Sequence, residues 1–180
     1  MDSDARLSDG VVLRALTIDD PPALAEAYRA NRDHLAPWDP ARSERFFTTA
    51  GQESEIAALL GDRDAGSALP MVLADGPRIV GRVNLSSIVH GPFQSANLGY
   101  WIDAGYAGRG IMSAAVNVAA DRARDELGLH RLQAGTLLHN VASQSVLRRC
   151  GFTEFGMAPS YLLIAGRWQD HRLFQRILAP

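Results

Sequence analysis

The spacing of apolar and polar positions along the chain predicts alternating strands and helices. An apolar run at 11–16 and an alternating segment at 78–89 are typical of strands. Between them two helices are expected, one starting at Asp20-Pro21-Pro22 and ending near Arg32, the other over 52–60. The other predicted elements are strands at 70–74, 96–102, 131–137, 161–164 and 168–177, and helices at 112–123 and 142–150.

The order of these elements, β-α-α-β-β-β-α-β-α-β-β, predicts an α/β (α+β) protein with one mixed sheet and helices on both faces. Residues 1–10 are acidic and polar and are predicted to be disordered, which leaves 11–180 as a single domain. A chain of 180 residues is long enough to bury one core without a disulfide or metal.

Composition and charge narrow the class of protein. Hydrophobic residues make up 47% and charged residues 21%, and the net charge of −2 argues against a protein held to nucleic acid by phosphate contacts. The single cysteine, Cys150, excludes an intrachain disulfide and a cysteine-based zinc site, and the five histidines lack metal-ligand spacing. No apolar run approaches the ~20 residues of a membrane span. We therefore expect a cytoplasmic protein without a metal, a membrane or a nucleic-acid partner.

The most informative stretch lies at 98–112, where a strand enters a glycine-rich loop that opens a long helix. Gly105, Gly108 and Gly110 let the backbone approach an anion, and the first N–H groups of the helix have no intrahelical partner. Such a helix start binds phosphate, and Arg109 can add a charge. The same pattern also fits an ordinary turn. It is not a Walker A loop, because no Gly-Lys-Ser/Thr follows, and it lacks the Gly-x-Gly-x-x-Gly of dinucleotide sites.

Seven pieces of the sequence, in order, resemble the GCN5-related N-acetyltransferases (GNAT), and within them the RimJ branch of the RimJ/RimL-type protein N-terminal acetyltransferases. The resemblance runs from about Val11 to Ile177. The pieces are 31–38 (NRDHLAPW), 83–91 (VNLSSIVHG), 98–100 (LGY), 108–112 (GRGIM), 139–140 (HN), 151–152 (GF) and 161–171 (YLLIAGRWQDH).

This resemblance implies the GNAT fold, with a mostly antiparallel sheet, and acetyl transfer from acetyl-CoA to an amine. Members of the family have Gln or Arg where this chain has Gly105, so one side-chain contact is missing while the backbone cradle remains. The cofactor-binding residues implied are Tyr100, Trp101, Ile102, Gly105, Tyr106, Ala107, Gly108, Arg109, Gly110, Ile111, Met112, Asn140 and Ser143.

The resemblance also suggests catalytic residues. Ser143 matches the general acid that protonates the leaving thiolate, although a serine in the first turn of a helix is equally an ordinary helix residue. Asn140 is both a pantetheine contact and a helix N-cap candidate. Where relatives carry a carboxylate base this chain has Ser160, so Glu154 or a water molecule is the alternative base. Cys150 fits packing better than an acetyl-enzyme.

The acceptor is the least defined part of the prediction. His34, Trp38, Asn84 and Tyr161 are implied to bind it. A protein α-amine suits a weak base because its pKa is roughly 7.7–8.0, against about 10.4 for lysine, and the resemblance suggests a ribosomal protein as its source. A small-molecule amine acetyltransferase is the alternative within the same chemistry, and a non-catalytic acetyl-CoA sensor is the alternative of another class. Monomer and homodimer both remain open.

Overall fold

The computed structural model describes residues 4–178, which form one eight-stranded sheet with helices packed on both faces. The strands are β1 (Ala5–Arg6), β2 (Val12–Ala15), β3 (Leu69–Asp75), β4 (Arg78–Val89), β5 (Ser95–Ile102), β6 (Arg131–Leu137), β7 (Thr153–Ile164) and β8 (Arg167–Ile177). The helices are α1 (Pro21–Ala30), α2 (Arg32–Leu35), α3 (Thr49–Asp64), α4 (Ile111–Asp125) and α5 (Val141–Arg149).

The strand order in the sheet is β1-β2-β3-β4-β5-β6-β8-β7. Every neighbouring pair is antiparallel except β5 and β6, which run parallel. The parallel pair is connected through α4, the long helix that follows the glycine-rich loop. The expected mixed, mostly antiparallel sheet is thus confirmed.

Two apolar cores lie on opposite faces of this sheet. The larger core contains the inward face of α4 and Leu147 of α5, and Tyr100 and Ile102 of β5 pack against it. The smaller core contains residues of α1, α2 and α3, and Trp101 packs against it. Because successive strand residues point to opposite faces, Tyr100 faces the larger core and Trp101 faces the smaller core. This alternation decides which side chains reach each side of the functional site.

Several boundaries differ from the sequence predictions. Residues 1–3 lie outside the described chain, but the predicted disorder of 1–10 is wrong over its second half, because Ala5–Arg6 pairs with β2 and a 3₁₀ turn follows at Ser8–Gly10. A strand of two residues is too short to show the alternation of apolar and polar positions by which strands are predicted. A further helix, α2, follows α1 after the single residue Asn31.

The strand predicted at 161–164 begins much earlier, since β7 spans Thr153–Ile164. It is an edge strand with mostly exposed side chains, so it lacks the alternation of a half-buried strand. Its pairing with β8 also shifts register between Ala158 and Leu162. Within that irregularity Ser160 adopts a positive φ of 47°, which is uncommon for a residue other than glycine.

Candidate active site

A cleft of about 730 Å³ opens where β5 and β6 separate. The two strands pair only over Ser95–Asn97 and Arg131–Gln133, although β5 continues to Ile102 and β6 to Leu137. The unpaired lengths of both strands line the cleft, together with the first turns of α4 and α5. The backbone edges of the diverging strands are therefore open to a bound molecule.

One end of this cleft is formed by the glycine-rich loop and the start of α4, here called the donor end (103–113). Gly108 and Gly110 both have left-handed backbones, with φ of 77° and 80°. Gly110 is the N-cap residue of α4 and offers no side-chain cap, so the first N–H groups of α4 remain available to an anion. Gly108, Gly110 and the first residues of α4 line the cleft. This arrangement fits the phosphate groups of CoA.

Side chains of the loop make contacts that hold it in place. Tyr106 Oη donates to Asp75 Oδ2 at 2.5 Å, and this hydrogen bond raises the pKa of Tyr106. Arg109 lies 3.6 Å from Asp9 Oδ2 and its guanidinium stands over the Tyr106 ring at 5.2 Å. A β-carbon at Gly105 would lie 3.1 Å from Asp103 Oδ1, so glycine fits the tight loop that Asp103 closes.

Asn31 connects the smaller core to the same loop, a role that sequence reasoning missed. Its Nδ2 donates to Asp103 Oδ2 at 2.8 Å, and its Oδ1 accepts from the Ala104 N–H at 3.1 Å. Asn31 is buried between α1 and α2, 72 residues away from Asp103 in the chain. Only its place inside the resembling piece 31–38 could have drawn attention to it.

Tyr100, Asn140 and Ser143 meet at the centre of the cleft. Asn140 Oδ1 accepts from the Ser143 N–H at 3.1 Å, so Asn140 is the N-cap of α5, as one of the two readings predicted. Tyr100 Oη lies 2.9 Å from Ser143 Oγ and donates to the Ser143 carbonyl at 3.1 Å. Burial raises the pKa of Tyr100, which keeps the phenol protonated. Two hydroxyl groups are thus placed side by side to donate a proton.

The structure places Glu154 away from this centre. Glu154 accepts from Arg172 Nη1 at 3.0 and 3.2 Å and lies 3.8 Å from Arg148, and it is absent from the lining of the cleft. Ser160 offers no carboxylate, and its N–H donates to Asp170 Oδ1 at 2.8 Å. Neither position supplies a free carboxylate to the cleft.

The other end of the cleft, here called the acceptor end, combines the α2 segment (34–40) with β6 and the β7–β8 hairpin. His34, Trp38 and Asp39 line it on one side, and Leu162 and Ile164 on the other. The Ala165 N–H donates to the Asp39 carbonyl at 2.9 Å, which fixes the hairpin against the segment. The Trp38 ring packs 5.3 Å from the His139 ring beside α5.

Asp39 is the carboxylate of this acceptor end. Burial raises its pKa, while Arg42 and Arg82 partly oppose that effect. The nearest cation is Arg42, with Nη2 at 3.8 Å from Asp39 Oδ2. Asp39 also borders a second, smaller cavity of about 340 Å³ on the aromatic side of α1. Sequence reasoning named His34 and Trp38 from this segment but did not single out Asp39.

The remaining predicted acceptor residues, Asn84 and Tyr161, lie outside the cleft lining. Asn84 Oδ1 accepts from Arg82 Nη2 at 3.1 Å, and Asn84 is outside the cleft lining. Tyr161 is 44% exposed and its ring lies 5.5 Å from that of His171, which does line the cleft. Cys150 is buried, and its Sγ–H donates to the Ser113 carbonyl at 3.3 Å. Burial raises the pKa of this thiol, which agrees with the packing interpretation.

The chain belongs to the GNAT acetyltransferases, because residues 11–153 match the acetyltransferase (GNAT) domain family. It is 34% identical to the ribosomal protein uS5-alanine N-acetyltransferase of Escherichia coli (strain K12) over 168 residues, covering 92% of this chain and 87% of that protein. A solved ribosomal-protein-S5-alanine acetyltransferase from Vibrio fischeri is similar with 35% identity and a TM-score of 0.93, covering 99% of this chain and 100% of that one. Mycobacterium smegmatis RimJ, solved with CoA-disulfide, is similar with 29% identity and a TM-score of 0.91, covering 98% and 86%.

These comparisons confirm the resemblance, the GNAT fold and the assignment of the chain as an N-acetyltransferase of the RimJ/RimL type. Within residues 4–178, none of the helices has the length and apolar character to cross a membrane. Over that same part of the chain, no three His, Cys, Asp or Glu residues cluster as metal ligands would. Independence from metals stays a prediction.

Proposed function

We propose that the protein transfers acetyl from acetyl-CoA to the N-terminal α-amine of a protein, by direct attack while both substrates are bound. The observation that carries this proposal is one continuous cleft whose donor end offers helix N–H groups and whose acceptor end offers His34, Trp38 and Asp39. Tyr100 and Ser143 lie between the two ends. A single cleft of this kind lets the amine reach the thioester without a covalent enzyme intermediate.

The donor end fits acetyl-CoA by its backbone. The N–H groups that open α4, next to the left-handed Gly108 and Gly110, suit the pyrophosphate. The unpaired edge of β5 after Asn97 suits the pantetheine arm, whose amides need hydrogen-bond partners. A β5 N–H group facing the thioester carbonyl would act as an oxyanion donor, a contribution of about 2.7–4 kcal/mol in other enzymes.

Ser143 is proposed as the general acid. When the amine nitrogen bonds to the thioester carbon and the carbon–sulfur bond breaks, the thiolate needs a proton. Ser143 Oγ lies 2.9 Å from Tyr100 Oη, so a proton given up by Ser143 can be replaced from the phenol or from solvent. Asn140 orients this serine through the first turn of α5.

An α-amine is the acceptor that the site serves most easily. Deprotonating an ammonium group at pH 7 costs about 4.6 kcal/mol for lysine but only about 1–1.4 kcal/mol for a protein N-terminus. With Ser160 in place of the family carboxylate, the smaller cost favours the α-amine. The relatives from E. coli and V. fischeri are named for acetylating an alanine of ribosomal protein S5, which supports a ribosomal protein as partner and a cytoplasmic location.

The test offers the enzyme peptides with one internal lysine and either a free or a blocked N-terminus, beside a panel of small amines, with products read by mass spectrometry. We expect acetylation of the free peptide only. Equal rates on the blocked peptide would refute the α-amine proposal. Turnover restricted to small amines would identify a small-molecule amine acetyltransferase. Acetyl-CoA binding without any turnover would favour a non-catalytic acetyl-CoA sensor.

A further inference from the structure

The proposed reaction needs a group to take a proton from the acceptor ammonium, and no carboxylate of the described chain is free at the right place. Glu154 is paired with Arg172, and Asp170 is bonded to the Ser160 N–H. Asp39 lines the cleft but lies at its border with the second cavity, beside Arg42. The search for a base therefore turns to other side chains of the cleft.

His171 lies on β8 where the hairpin covers the opening between β5 and β6. It is paired in register with Leu137 of β6, it is 3% exposed, and it lines the cleft. A β-carbon at the neighbouring Gly135 would lie 3.5 Å from His171 Cδ2 and 3.7 Å from Tyr161 Cε1. Glycine at this position therefore leaves open space directly under the imidazole.

The tautomer of this imidazole is set by its one hydrogen bond. His171 Nδ1 lies 2.9 Å from the Gln169 carbonyl oxygen. A carbonyl only accepts, so Nδ1 carries the hydrogen, and in the neutral ring Nε2 keeps its lone pair. Among the described residues, the bond to Gln169 is the one hydrogen bond of the His171 side chain, so Nε2 has no hydrogen-bond partner there. A histidine held in this way is organised as a proton acceptor.

His171 and the proposed acid lie on opposite faces of the sheet. Leu132 and Ala134 of β6 belong to the larger core with α5, so the alternate residues Gly135 and Leu137, and His171 beside them, face the other side. Tyr100 points to the α5 side, where it contacts Ser143. An acetyl group in the opening between β5 and β6 would thus have a proton donor on one side and His171 on the other.

We propose that His171 Nε2 is the general base of this acetyltransferase, an inference that rests on the proposed function. In the step, an N–H bond of the acceptor ammonium breaks, its electron pair stays on the nitrogen, and the proton bonds to Nε2. The imidazolium returns this proton to solvent through the cleft. The neutral amine then bonds to the thioester carbon and the carbon–sulfur bond breaks. The new amide nitrogen releases its second proton to water, and the leaving thiolate takes the proton of Ser143.

The titratable groups around His171 come from each packed element. On β8 itself, Asp170 and Arg172 are engaged by Ser160 and Glu154. Tyr161 on β7 has its ring 5.5 Å from that of His171. The titratable groups that other elements contribute to the cleft lining include Tyr100, on the opposite face of the sheet, and His34 and Asp39 on the α2 segment. Gly135 and Leu137, the β6 residues beside His171 on this face, carry no charge. Asp39 is the only carboxylate among these contributed groups, and its negative charge would favour an ammonium ion beside the base.

The decisive variant is His171→Asn, because asparagine Nδ2 can keep the hydrogen bond to the Gln169 carbonyl while the base is lost. Without the base, the reaction depends on α-amine that is already neutral, about a tenth at pH 7 and about nine-tenths at pH 9. We expect kcat/KM with the free peptide to fall about tenfold at pH 7 and to approach wild type at pH 9, with unchanged acetyl-CoA affinity. His90→Asn, in an exposed turn outside the cleft, is the matched control.

A loss of kcat/KM in His171→Asn that is equal at pH 7 and pH 9 would overturn the role of His171. So would a variant that is as active as wild type at pH 7. Nitrogen-15 NMR of the wild-type ring gives a second readout that needs no acceptor and no folded variant. A neutral ring with the proton on Nδ1 supports the inference, and one with the proton on Nε2 overturns it. If the wild-type enzyme itself acetylates no α-amine, the proposed function fails independently of this measurement.

Discussion

The donor and acceptor ends of the cleft are built in different ways. The donor end comes largely from one continuous stretch, in which β5 passes through the glycine loop into α4, with the first turn of α5 beside it. The acceptor end is assembled from three separated pieces, namely the α2 segment, β6 and the β7–β8 hairpin. The donor end uses backbone N–H groups, whereas the acceptor end uses side chains. On the proposed function, we therefore expect cofactor binding to tolerate side-chain changes such as Gly105, and acceptor choice to depend on a few residues.

The largest effect is expected from Gly108→Glu at the donor end. The residue has a φ of 77°, which disfavours a side chain, and a carboxylate there would stand against the pyrophosphate. We expect calorimetry to detect no binding of acetyl-CoA. Gly66→Glu is the matched control, since Gly66 has a φ of 74° and open space around it but lies at the end of α3. Equal acetyl-CoA affinities for the two variants would show that the loop does not bind acetyl-CoA.

Ser143→Ala tests the centre, where both ends meet. If Ser143 protonates the thiolate, kcat should fall roughly 10²–10⁴-fold with acetyl-CoA affinity nearly unchanged. Tyr100→Phe asks whether the phenol is the acid instead. Ser54→Ala is the control, because its hydroxyl donates to the Ala50 carbonyl on α3, outside the cleft lining. A loss of about 1 kcal/mol in stability with full activity would make Ser143 a structural residue.

The sequence allowed the donor end to be predicted because its signals are local. Gly108 and Gly110 stand directly before the amphipathic helix α4, and Asn140 stands directly before α5. Each signal therefore spans only a few residues, and the structure brings both to one cleft. The acceptor end depends on pairings between distant segments, such as Leu137 with His171. Sequence spacing contains no information about such pairs. The same limit explains why Glu154 was considered as a base. It is near Ser160 in sequence, but in the structure it pairs with Arg172 on β8.

Asn31→Ala tests the link between the smaller core and the donor loop. The change removes the two hydrogen bonds that Asn31 makes with Asp103 and with the Ala104 N–H, which should lower the free energy of unfolding by about 2 kcal/mol. Because the loop is anchored there, acetyl-CoA affinity should also fall severalfold. Asn117→Ala, on the exposed side of α4, should change neither quantity. Loss of stability alone would show that the loop keeps its shape without this anchor.

Trp38→Ala addresses the acceptor end alone. The half-buried indole lines the cleft and packs on His139, so we expect KM for the peptide to rise about tenfold, as for about 1.4 kcal/mol of lost apolar contact, with unchanged acetyl-CoA affinity. Trp168→Ala is the control, because Trp168 is 64% exposed at the hairpin end and outside the cleft lining. An unchanged KM would show that the acceptor does not touch the α2 segment.

The smallest effect, on stability, is expected at Asp39. Burial raises the folded-state pKa of this carboxyl above its unfolded value, so its contribution to stability is greatest at low pH and is lost as the pH rises through the folded-state pKa. At neutral pH the ionised carboxylate therefore opposes folding, and Asp39→Asn should raise the free energy of unfolding, by no more than about 1 kcal/mol. This gain should shrink as the pH falls toward 4, whereas Asp33→Asn, exposed on α2, should show no such trend.

The same substitution should act on the acceptor in the opposite direction. If the Asp39 charge attracts the ammonium group, Asp39→Asn should raise KM for the free peptide while kcat changes little, so that a more stable protein binds its acceptor less well. We expect a functional carboxylate at this end of the cleft to lower the free energy of unfolding while it improves acceptor binding. A variant that gains stability with an unchanged KM would place the ammonium elsewhere, beside His171 rather than Asp39.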